Sequence, residues 1–283
     1  MRRVAAQSKD AFRFIHRQVP HVIAALKPRE IGHLQKALQA SAHFAQLQSS
    51  QAADHHERWR LEQRERASRG DWGAEDGEKR LMNVYHDLFV AFLELPGLHP
   101  SPLRGFCAEK FSFSVPSWAA LSRLSARFLS IVEVGAGTGY WSSLLRSLGS
   151  DVIAVDACTE AEHRWTIQYG RWHPVRHKQG SQLFSKPAGL LPATATAAPV
   201  AVRESEPNEL HSRALLYCWP RGSPPPGLDG YRGQHVVLVG CDDAEGVGGI
   251  MATGEWEVEE RMSLPQWPDI GDGVWTFKRK GTG

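Results

Sequence analysis

The chain has 283 residues with a formal net charge of +2, and 42% of its residues are hydrophobic. This length allows one large domain, with or without a helical extension, and the overall charge identifies no partner. The four cysteines have neither CxxC nor zinc-finger spacing, which argues against a disulfide scaffold or a structural zinc site and favours a reducing compartment.

The N-terminal part of the chain is basic and has helical periodicity. Residues 1–70 hold 13 Lys and Arg residues against 6 Asp and Glu residues. Pro20 and Pro28 are expected to begin or interrupt helices. The charged end of this region is interpreted as a solvated helix rather than as a nucleic-acid patch. One apolar helix face is predicted from the spacing of Ile31, Leu34, Leu38, Ala42 and Ala45.

The glycine-rich stretch GDWGAEDGE (70–78) predicts a linker. It divides the chain into a helical N-terminal extension (1–75) and a second domain (76–283). The first 14 residues are basic and poor in acids, which leaves organelle targeting open beside the favoured cytoplasmic location. No apolar run approaches the roughly 20 residues of a membrane span, so no membrane partner is expected.

Strand and helix signals alternate from residue 129 onward, after an amphipathic helix predicted from Leu81, Tyr85, Leu88 and Phe92. This alternation predicts an α/β fold with a parallel sheet and helices on both faces. The Ala-, Pro- and Thr-rich segment 187–210 predicts a flexible insertion. Strands are predicted at 129–134, 151–157, 213–219 and 235–240, helices at 140–149 and 159–170, and an antiparallel strand pair at 255–264 and 273–280.

The turn VEVGAGTGYW (132–141) joins the first of these strands to the next helix. Its three glycines allow positive φ or close approach, and they bring backbone N–H groups and the helix N-terminus near a ligand. The turn lacks the Gly-Lys-Ser/Thr of a phosphate-binding loop, and Tyr140 stands where the nicotinamide fingerprint has its third glycine. Glu133, just before the turn, suits a ligand with an ammonium group and would repel a pyrophosphate.

A second carboxylate, Asp156, ends the following strand, 21 residues after Gly135. A carboxylate at this position can accept hydrogen bonds from both hydroxyls of a ribose. An ammonium group, a ribose and no phosphate together describe S-adenosyl-L-methionine.

In these motifs the sequence resembles the class I S-adenosylmethionine-dependent methyltransferases. Phrases such as FSFSVPSWAAL, ALLYCWP and LPQWPDIGDGVWTFKR are similar to those of a group of predicted methyltransferases whose substrate is not known. The resemblance implies a Rossmann-like sheet of about seven mostly parallel strands, with an antiparallel strand near the C-terminus. The short segment after Cys241 departs from that group and puts the fifth helix in doubt. The cofactor-binding residues implied are Glu133, Gly135, Ala136, Gly137, Gly139, Tyr140, Asp156 and Ala157.

Residues that follow the strands are the candidates for chemistry, because ligands of such sheets lie beyond the carboxyl ends of the strands. Cys218-Trp219-Pro220 follows the fourth strand and lacks the polar residue of the Asn/Asp-Pro-Pro-aromatic tetrapeptide found in many amino-directed methyltransferases. This argues against methylation of adenine N6 or glutamine. Trp219 is a candidate to pack over the methyl group or stack on a flat acceptor, and equally to plug the end of the sheet. Tyr140 is expected to line the pocket, where it is a further candidate for a catalytic role, and Trp141 is expected to pack beneath it.

A general base would help if the acceptor were a hydroxyl. His173 and His99 are the candidates by loop position, although a lone histidine is more often a surface or packing residue. Phe113, Ser114 and Pro116 precede a helix expected to lie over the pocket mouth, with Pro116 in its first turn. No metal-ligand cluster is expected.

Three functions remain open. The favoured one is methyl transfer to a small molecule or a protein side chain. The second is a catalytically idle methyltransferase-like module that binds partners through residues 1–75. The third is nucleic-acid methylation guided by the basic N-terminus, which would give an affinity that falls steeply with salt.

Overall fold

The computed structural model describes residues 2–73, 83–184, 207–243 and 245–281. Most of the predicted linker, from residue 74 onward, lies outside these ranges, as do Leu81 and most of the predicted insertion. Residues 207–210 of that insertion are described and belong to a short helix. The C-terminal end of the predicted insertion, residues 207–210, is therefore helical.

Four helices form the N-terminal region, as its periodicity predicts. Pro20 and Pro28 each begin a helix, where the missing N–H costs nothing and the fixed φ is favourable. Leu34, Leu38 and Ala42 of the predicted face are fully buried. The helices are α1 (Arg2–Gln18), α2 (Pro20–Ala24), α3 (Pro28–Leu47) and α4 (Ser50–Ser68).

Three further helices precede the sheet: α5 (Val84–Leu93), α6 (Pro100–Lys110) and α7 (Trp118–Arg127). The side chain of Asn83 caps α5 by accepting from the N–H of His86, and Ser117 caps α7 by accepting from the N–H of Ala120. Because Ser117 takes the cap position, Pro116 lies before the helix, and its predicted place in the first turn is wrong.

Seven strands form one sheet in the described part of the chain. They are β1 (Ser130–Val134), β2 (Asp151–Asp156), β3 (Val175–His177), β4 (Ala214–Cys218), β5 (His235–Cys241), β6 (Trp256–Ser263) and β7 (Asp272–Arg279). The order is β3-β2-β1-β4-β5-β7-β6. All neighbours are parallel except the pairs made by β7, which is antiparallel to both β5 and β6. This arrangement confirms the predicted α/β fold and the antiparallel pair near the C-terminus.

The sequence did not predict β3, because it is only three residues long and its side chains are half-buried or exposed. The helix predicted at 159–170 is also shorter than expected, because the carboxylate of Glu162 accepts from the N–H of Thr159 and holds a turn there. The helix after β5 is a single short one. The remaining helices are α8 (Tyr140–Ser147), α9 (Arg164–Tyr169), α10 (Gly180–Leu183), α11 (Pro207–His211) and α12 (Val247–Met251).

Apolar layers cover both faces of the sheet. Alternate residues of one strand belong to different layers: Ile131 packs with the N-terminal helices and with α5–α7, whereas Val132 packs with Tyr231 and Trp256 on the opposite face. The helices of residues 2–68 thus share one core with the sheet. None of the described helices is long and apolar enough to cross a membrane.

Trp267, from the segment between β6 and β7, lies within the helical layer. Its indole N–H donates to the hydroxyl of Tyr85 at 2.9 Å. Its ring stacks on Trp59 at 6.0 Å and meets Phe89 edge-on at 5.0 Å. The indole N–H of Trp59 donates to the carbonyl of Gln266 at 2.7 Å. The C-terminal segment and the N-terminal helices therefore depend on each other for their packing.

A buried ion pair also joins the N-terminal helices to the rest of the fold. The ammonium of Lys110, at the end of α6, lies 2.9 Å from a carboxylate oxygen of Glu30 in α3, and both side chains are at most 6% exposed. The other carboxylate oxygen of Glu30 accepts from the N–H of Lys27, and the ammonium lies 4.6 Å from the ring centre of Trp172. Burial lowers the pKa of Lys110, while the bond to Glu30 opposes this shift.

We expect Lys110→Met to destabilise the protein by about 3–5 kcal/mol, because it leaves the buried carboxylate of Glu30 without a counter-charge. The measurement is the free energy of unfolding in denaturant. Arg13→Met is the control, since the pair of Arg13 with Asp10 is almost fully exposed and should leave the unfolding midpoint unchanged. Equal effects of the two substitutions would contradict the importance given to the buried pair.

Candidate functional site

A cleft of about 740 Å³ lies at the carboxyl ends of β1, β2 and β4. This is the edge at which ligands of open α/β sheets bind. The turn after β1 forms its floor, and the segments after β2 and β4 form two sides. The loop between α6 and α7 contributes a third side through Phe111, Ser112 and Phe113.

The glycine turn has the backbone conformation that its sequence predicts. Gly135, Gly137 and Gly139 have φ values of 74°, 54° and 73°, in the left-handed region that other residues rarely adopt. A Cβ on Gly135 would meet no atom within 4 Å, and one on Gly137 would meet only the imidazole of His163. These two glycines line the cleft and leave room for a ligand.

Gly139 has a different role from the other two glycines. It does not line the cleft. A Cβ on Gly139 would lie 3.0 Å from the Cβ of His173 and 3.2 Å from a methyl group of Val175. The missing side chain thus lets the segment leading into β3 pack against the turn. The position of Gly139 does not support its predicted contact with a cofactor. Ala136 does line the cleft, and its N–H donates to the carbonyl of Val155 at 3.0 Å.

Glu133 lines the cleft from beneath the turn and is 1% exposed. Its carboxylate accepts a short hydrogen bond from the hydroxyl of Ser142 in the first turn of α8. Burial raises the pKa of Glu133 to about 7, and the hydrogen bonds with Ser142 and Cys218 oppose this shift. A cationic group in the cleft would stabilise the ionised carboxylate.

Asp156 ends β2 at the wall of the cleft, next to Ala157, which also lines it. One carboxylate oxygen accepts from the N–H of Gly137 and the other from the N–H of Cys158, both at 2.8 Å. The side chain is therefore held in a single orientation. Each oxygen keeps a lone pair for a ligand, because a carboxylate can accept about four hydrogen bonds.

Tyr140 and Trp141 are both buried, and both line the cleft. The hydroxyl of Tyr140 accepts from the N–H of Tyr85 at 3.0 Å and donates to the side chain of Asn83 at 3.1 Å. Both of these partners lie at the N-terminus of α5, so the hydroxyl is already hydrogen-bonded there. Burial raises its pKa, which makes it unsuitable as a base. The indole nitrogen of Trp141 is buried without a partner in the described ranges. We expected Tyr140 to line the pocket and Trp141 to pack beneath it, but both side chains line the cleft.

Trp219 follows β4 and also lines the cleft. Its φ of 52° is unusual for a residue with a side chain. Its indole N–H donates to the hydroxyl of Ser114 at 2.7 Å, and its ring meets that of Phe113 at 5.7 Å. The predicted loop before α7 thus does line the cleft through Phe113, whereas Ser114 lies behind it and accepts from Trp219.

The two histidines predicted as candidate bases do not line the cleft. His173 packs behind Gly139, and burial lowers its pKa. His99 begins α6, where its ring accepts from the N–H of Ser101 and packs on His56 at 4.5 Å. Neither ring is placed to take a proton from a molecule bound in the cleft.

His163 is a cleft residue that sequence reasoning missed. Its Nδ1 accepts from the N–H of Thr166 and so caps α9. In the neutral ring this leaves the proton on Nε2, which lies 3.8 Å from the Cβ position of Gly137. Burial lowers the pKa of His163, so the ring offers a donor to the cleft near neutral pH. A helix predicted from residue 159 concealed this cap position. No group of three or more potential metal ligands is present in the described ranges.

No protein-family model matches the sequence, and no curated protein matches it. Solved structures similar to it include three methyltransferases. One is the O-methyltransferase TomG from Streptomyces achromogenes, involved in tomaymycin synthesis and solved in complex with S-adenosylmethionine (18% identity, 80% of this chain and 99% of that chain, TM-score 0.36). Another is the 23S rRNA methyltransferase ErmE (12% identity, 58% of this chain and 69% of that chain, TM-score 0.34). The third is the S-adenosylmethionine-dependent methyltransferase SibL in its apo form (14% identity, 88% of this chain and 74% of that chain, TM-score 0.35).

With identities and TM-scores this low, the similarities do not bear on which reaction this chain carries out. The chain's own topology is more informative. Its sheet has seven strands with an antiparallel β7 inserted between β5 and β6, and its glycine turn opens on a cleft at the carboxyl ends of the strands. The chain thus has a Rossmann-like α/β fold, with the mostly parallel seven-stranded sheet and the antiparallel strand near the C-terminus that the sequence resemblance implies.

Proposed function

We propose that this chain binds S-adenosyl-L-methionine and transfers its methyl group to a small molecule or a protein side chain. One observation carries the proposal. Two buried carboxylates, Glu133 and Asp156, flank a glycine turn whose Gly135 and Gly137 leave room for a ligand. This combination suits a ligand with a positive charge and vicinal hydroxyls.

The residues of the cleft fit this cofactor. Glu133 would face its ammonium group, and the lone pairs left on Asp156 would accept from its ribose. The unpartnered indole N–H of Trp141 would donate to an acceptor on the ligand, since buried donors are normally paired. Ala136 and Ala157 present small side chains at the cleft wall, which allows close approach.

Held by Glu133 and Asp156, the cofactor would supply an electrophilic methyl carbon to a lone pair of the acceptor, with its sulfur as the leaving group. The chain itself contributes alignment and exclusion of water. Its aromatic side chains around the cleft serve the second purpose. The two histidines first considered as bases lie elsewhere, which favours an acceptor that needs little activation.

The proposal is tested by calorimetric titration with S-adenosylhomocysteine, followed by incubation with methyl-labelled S-adenosylmethionine and a fractionated cell extract. We expect saturable binding, and label in the small-molecule or protein fraction. Label in the nucleic-acid fraction would contradict the proposed acceptor class. Binding without transfer to any fraction would favour the idle module, and absence of binding would refute the proposal.

Gly135→Ala should weaken the affinity for S-adenosylhomocysteine at least tenfold, because the new methyl group would occupy ligand space. Gly70→Ala is a matched control: Gly70 has a φ of 73°, no atom within 4 Å of its Cβ position, and no place in the cleft. Both variants should lose about 1–2 kcal/mol of stability from left-handed strain. Retained binding by the Gly135 variant would show that the turn does not face the cofactor.

The affinity for S-adenosylmethionine should rise about tenfold between pH 5.5 and pH 7.0, because binding favours the ionised form of Glu133, whose pKa is raised to about 7 in the free protein. Above this value the free carboxylate is already ionised, and the rise should level off. The ligand's own amino group, with a pKa of about 8, stays protonated in this window. Calorimetry at several pH values measures the effect.

Glu133→Gln is the control for this pH dependence. The amide keeps the shape of the side chain and can still accept from Ser142, but it does not titrate. His163 remains in both proteins, so the difference between their pH profiles isolates Glu133. If the affinity changed with pH to the same extent in both proteins, Glu133 would not belong to the cofactor site.

A further inference from the structure

Three aromatic side chains from distant parts of the chain meet at the wall of the cleft. Phe113 precedes α7, Trp165 lies in α9, and Trp219 follows β4. The ring of Phe113 meets that of Trp165 at 5.2 Å and that of Trp219 at 5.7 Å. All three line the cleft, and we call them the aromatic wall. Aromatic rings that line an open cleft lose part of the free energy that full burial would give them, and such exposed apolar surface often marks a binding site.

Trp219 is held in an unusual conformation. Its backbone is left-handed, its N–H donates to the carbonyl of Val239 at 2.8 Å, and its ring lies 3.7 Å from the Cβ position of Gly240. Such conformations cost about 1–3 kcal/mol and persist where the surroundings determine them. A residue that merely plugged the sheet end would not need this geometry.

A buried carboxylate lies behind Trp219. The indole N–H of Trp219 donates to the hydroxyl of Ser114. Burial raises the pKa of Asp272, at the start of β7, and the nearby side chains of Ser114 and Trp219 oppose this shift. Ser114 and Asp272 are each 1% exposed. The thiol of Cys241 also lies 3.7 Å from Asp272.

The wall also carries a free donor. The indole nitrogen of Trp165 is buried and has no partner among the described residues. A buried donor of this kind indicates a missing acceptor, because most buried polar groups are paired. The sheet order places β1 between β2 and β4, so Trp219 and Asp156 lie on opposite sides of the glycine turn. Trp219 is thus on the side away from the proposed sugar position, and Phe113 connects it to Trp165 in α9, the helix that follows β2.

We propose, resting on the function proposed above, that Phe113, Trp165 and Trp219 form the methyl-acceptor subsite and that they select a planar, π-bonded acceptor. Aromatic rings bind flat groups by stacked or edge-on contacts that a saturated ring of the same size cannot make. An acceptor atom on the planar group takes the hydrogen bond from Trp165. The polar residue missing after β4 is consistent with recognition by ring contacts.

The test uses protein saturated with S-adenosylhomocysteine and two matched neutral probes, 2-naphthol and decahydro-2-naphthol. The readout is the shift of the indole N–H signals of Trp165 and Trp219 in nuclear magnetic resonance spectra, assigned with Trp165→Phe and Trp219→Phe. We expect 2-naphthol to shift both signals saturably, with an affinity at least tenfold higher than that of the saturated probe. The bound S-adenosylhomocysteine should remain in place.

Substitutions distinguish a specific role of the aromatic wall in binding from a general effect on packing. Phe113→Leu and Trp219→Ala should each weaken 2-naphthol binding at least tenfold while changing S-adenosylhomocysteine affinity less than twofold. Phe113→Leu keeps an apolar side chain of similar volume. It therefore still tests the wall if the larger truncation, Trp219→Ala, fails to fold. Phe44→Ala, at an exposed aromatic outside the cleft, should change neither affinity.

Three results would overturn the acceptor subsite: no shift at the two indoles, equal affinity for both probes, or displacement of S-adenosylhomocysteine by 2-naphthol. The last would assign the wall to the cofactor's own ring. Failure of S-adenosylhomocysteine to bind at all would instead contradict the proposed function. The two kinds of failure are therefore distinguishable.

Discussion

The carboxylate of Asp156 joins the two turns that form the floor of the cleft. It accepts from the N–H of Gly137 in the turn after β1 and from the N–H of Cys158 after β2. Glycines with positive φ lose much conformational freedom on folding, and this carboxylate fixes one of them. The turn and the side chain that would grip a ribose therefore have their relative positions set before any ligand arrives, which lowers the entropy cost of binding.

The helical layer reaches the same cleft through a chain of hydrogen bonds. The hydroxyl of Thr138, in the glycine turn, donates to the carbonyl of Phe111. The backbone N–H of Trp172 donates to the carbonyl of Thr138, and its indole N–H donates to that of Lys110, both at 2.8 Å. Lys110 in turn pairs with Glu30. The N-terminal helices are thus connected to the cleft wall rather than appended to it, whatever their partners.

Local patterns were enough to predict six of the seven strands, the turn at Gly135 and the acidic end of β2, because each depends on residues close together in the chain. The same reasoning could not predict that Gly139 faces β3, since that contact belongs to tertiary packing. It also proposed His173 and His99 and overlooked His163, because a capping turn replaced the expected first turn of α9. Asp272 reaches Ser114 across more than 150 residues of sequence, a relation that no spacing rule contains.

The packing of Trp267 on Trp59 has a consequence for biosynthesis. Trp59 donates to a carbonyl that is 207 residues further along the chain, so this ring emerges from the ribosome long before its partner. At translation rates of about 5–20 residues per second, the nascent helices expose an apolar surface for roughly ten seconds or more. During that interval the N-terminal helices lack the C-terminal segment that covers Trp59 in the folded protein.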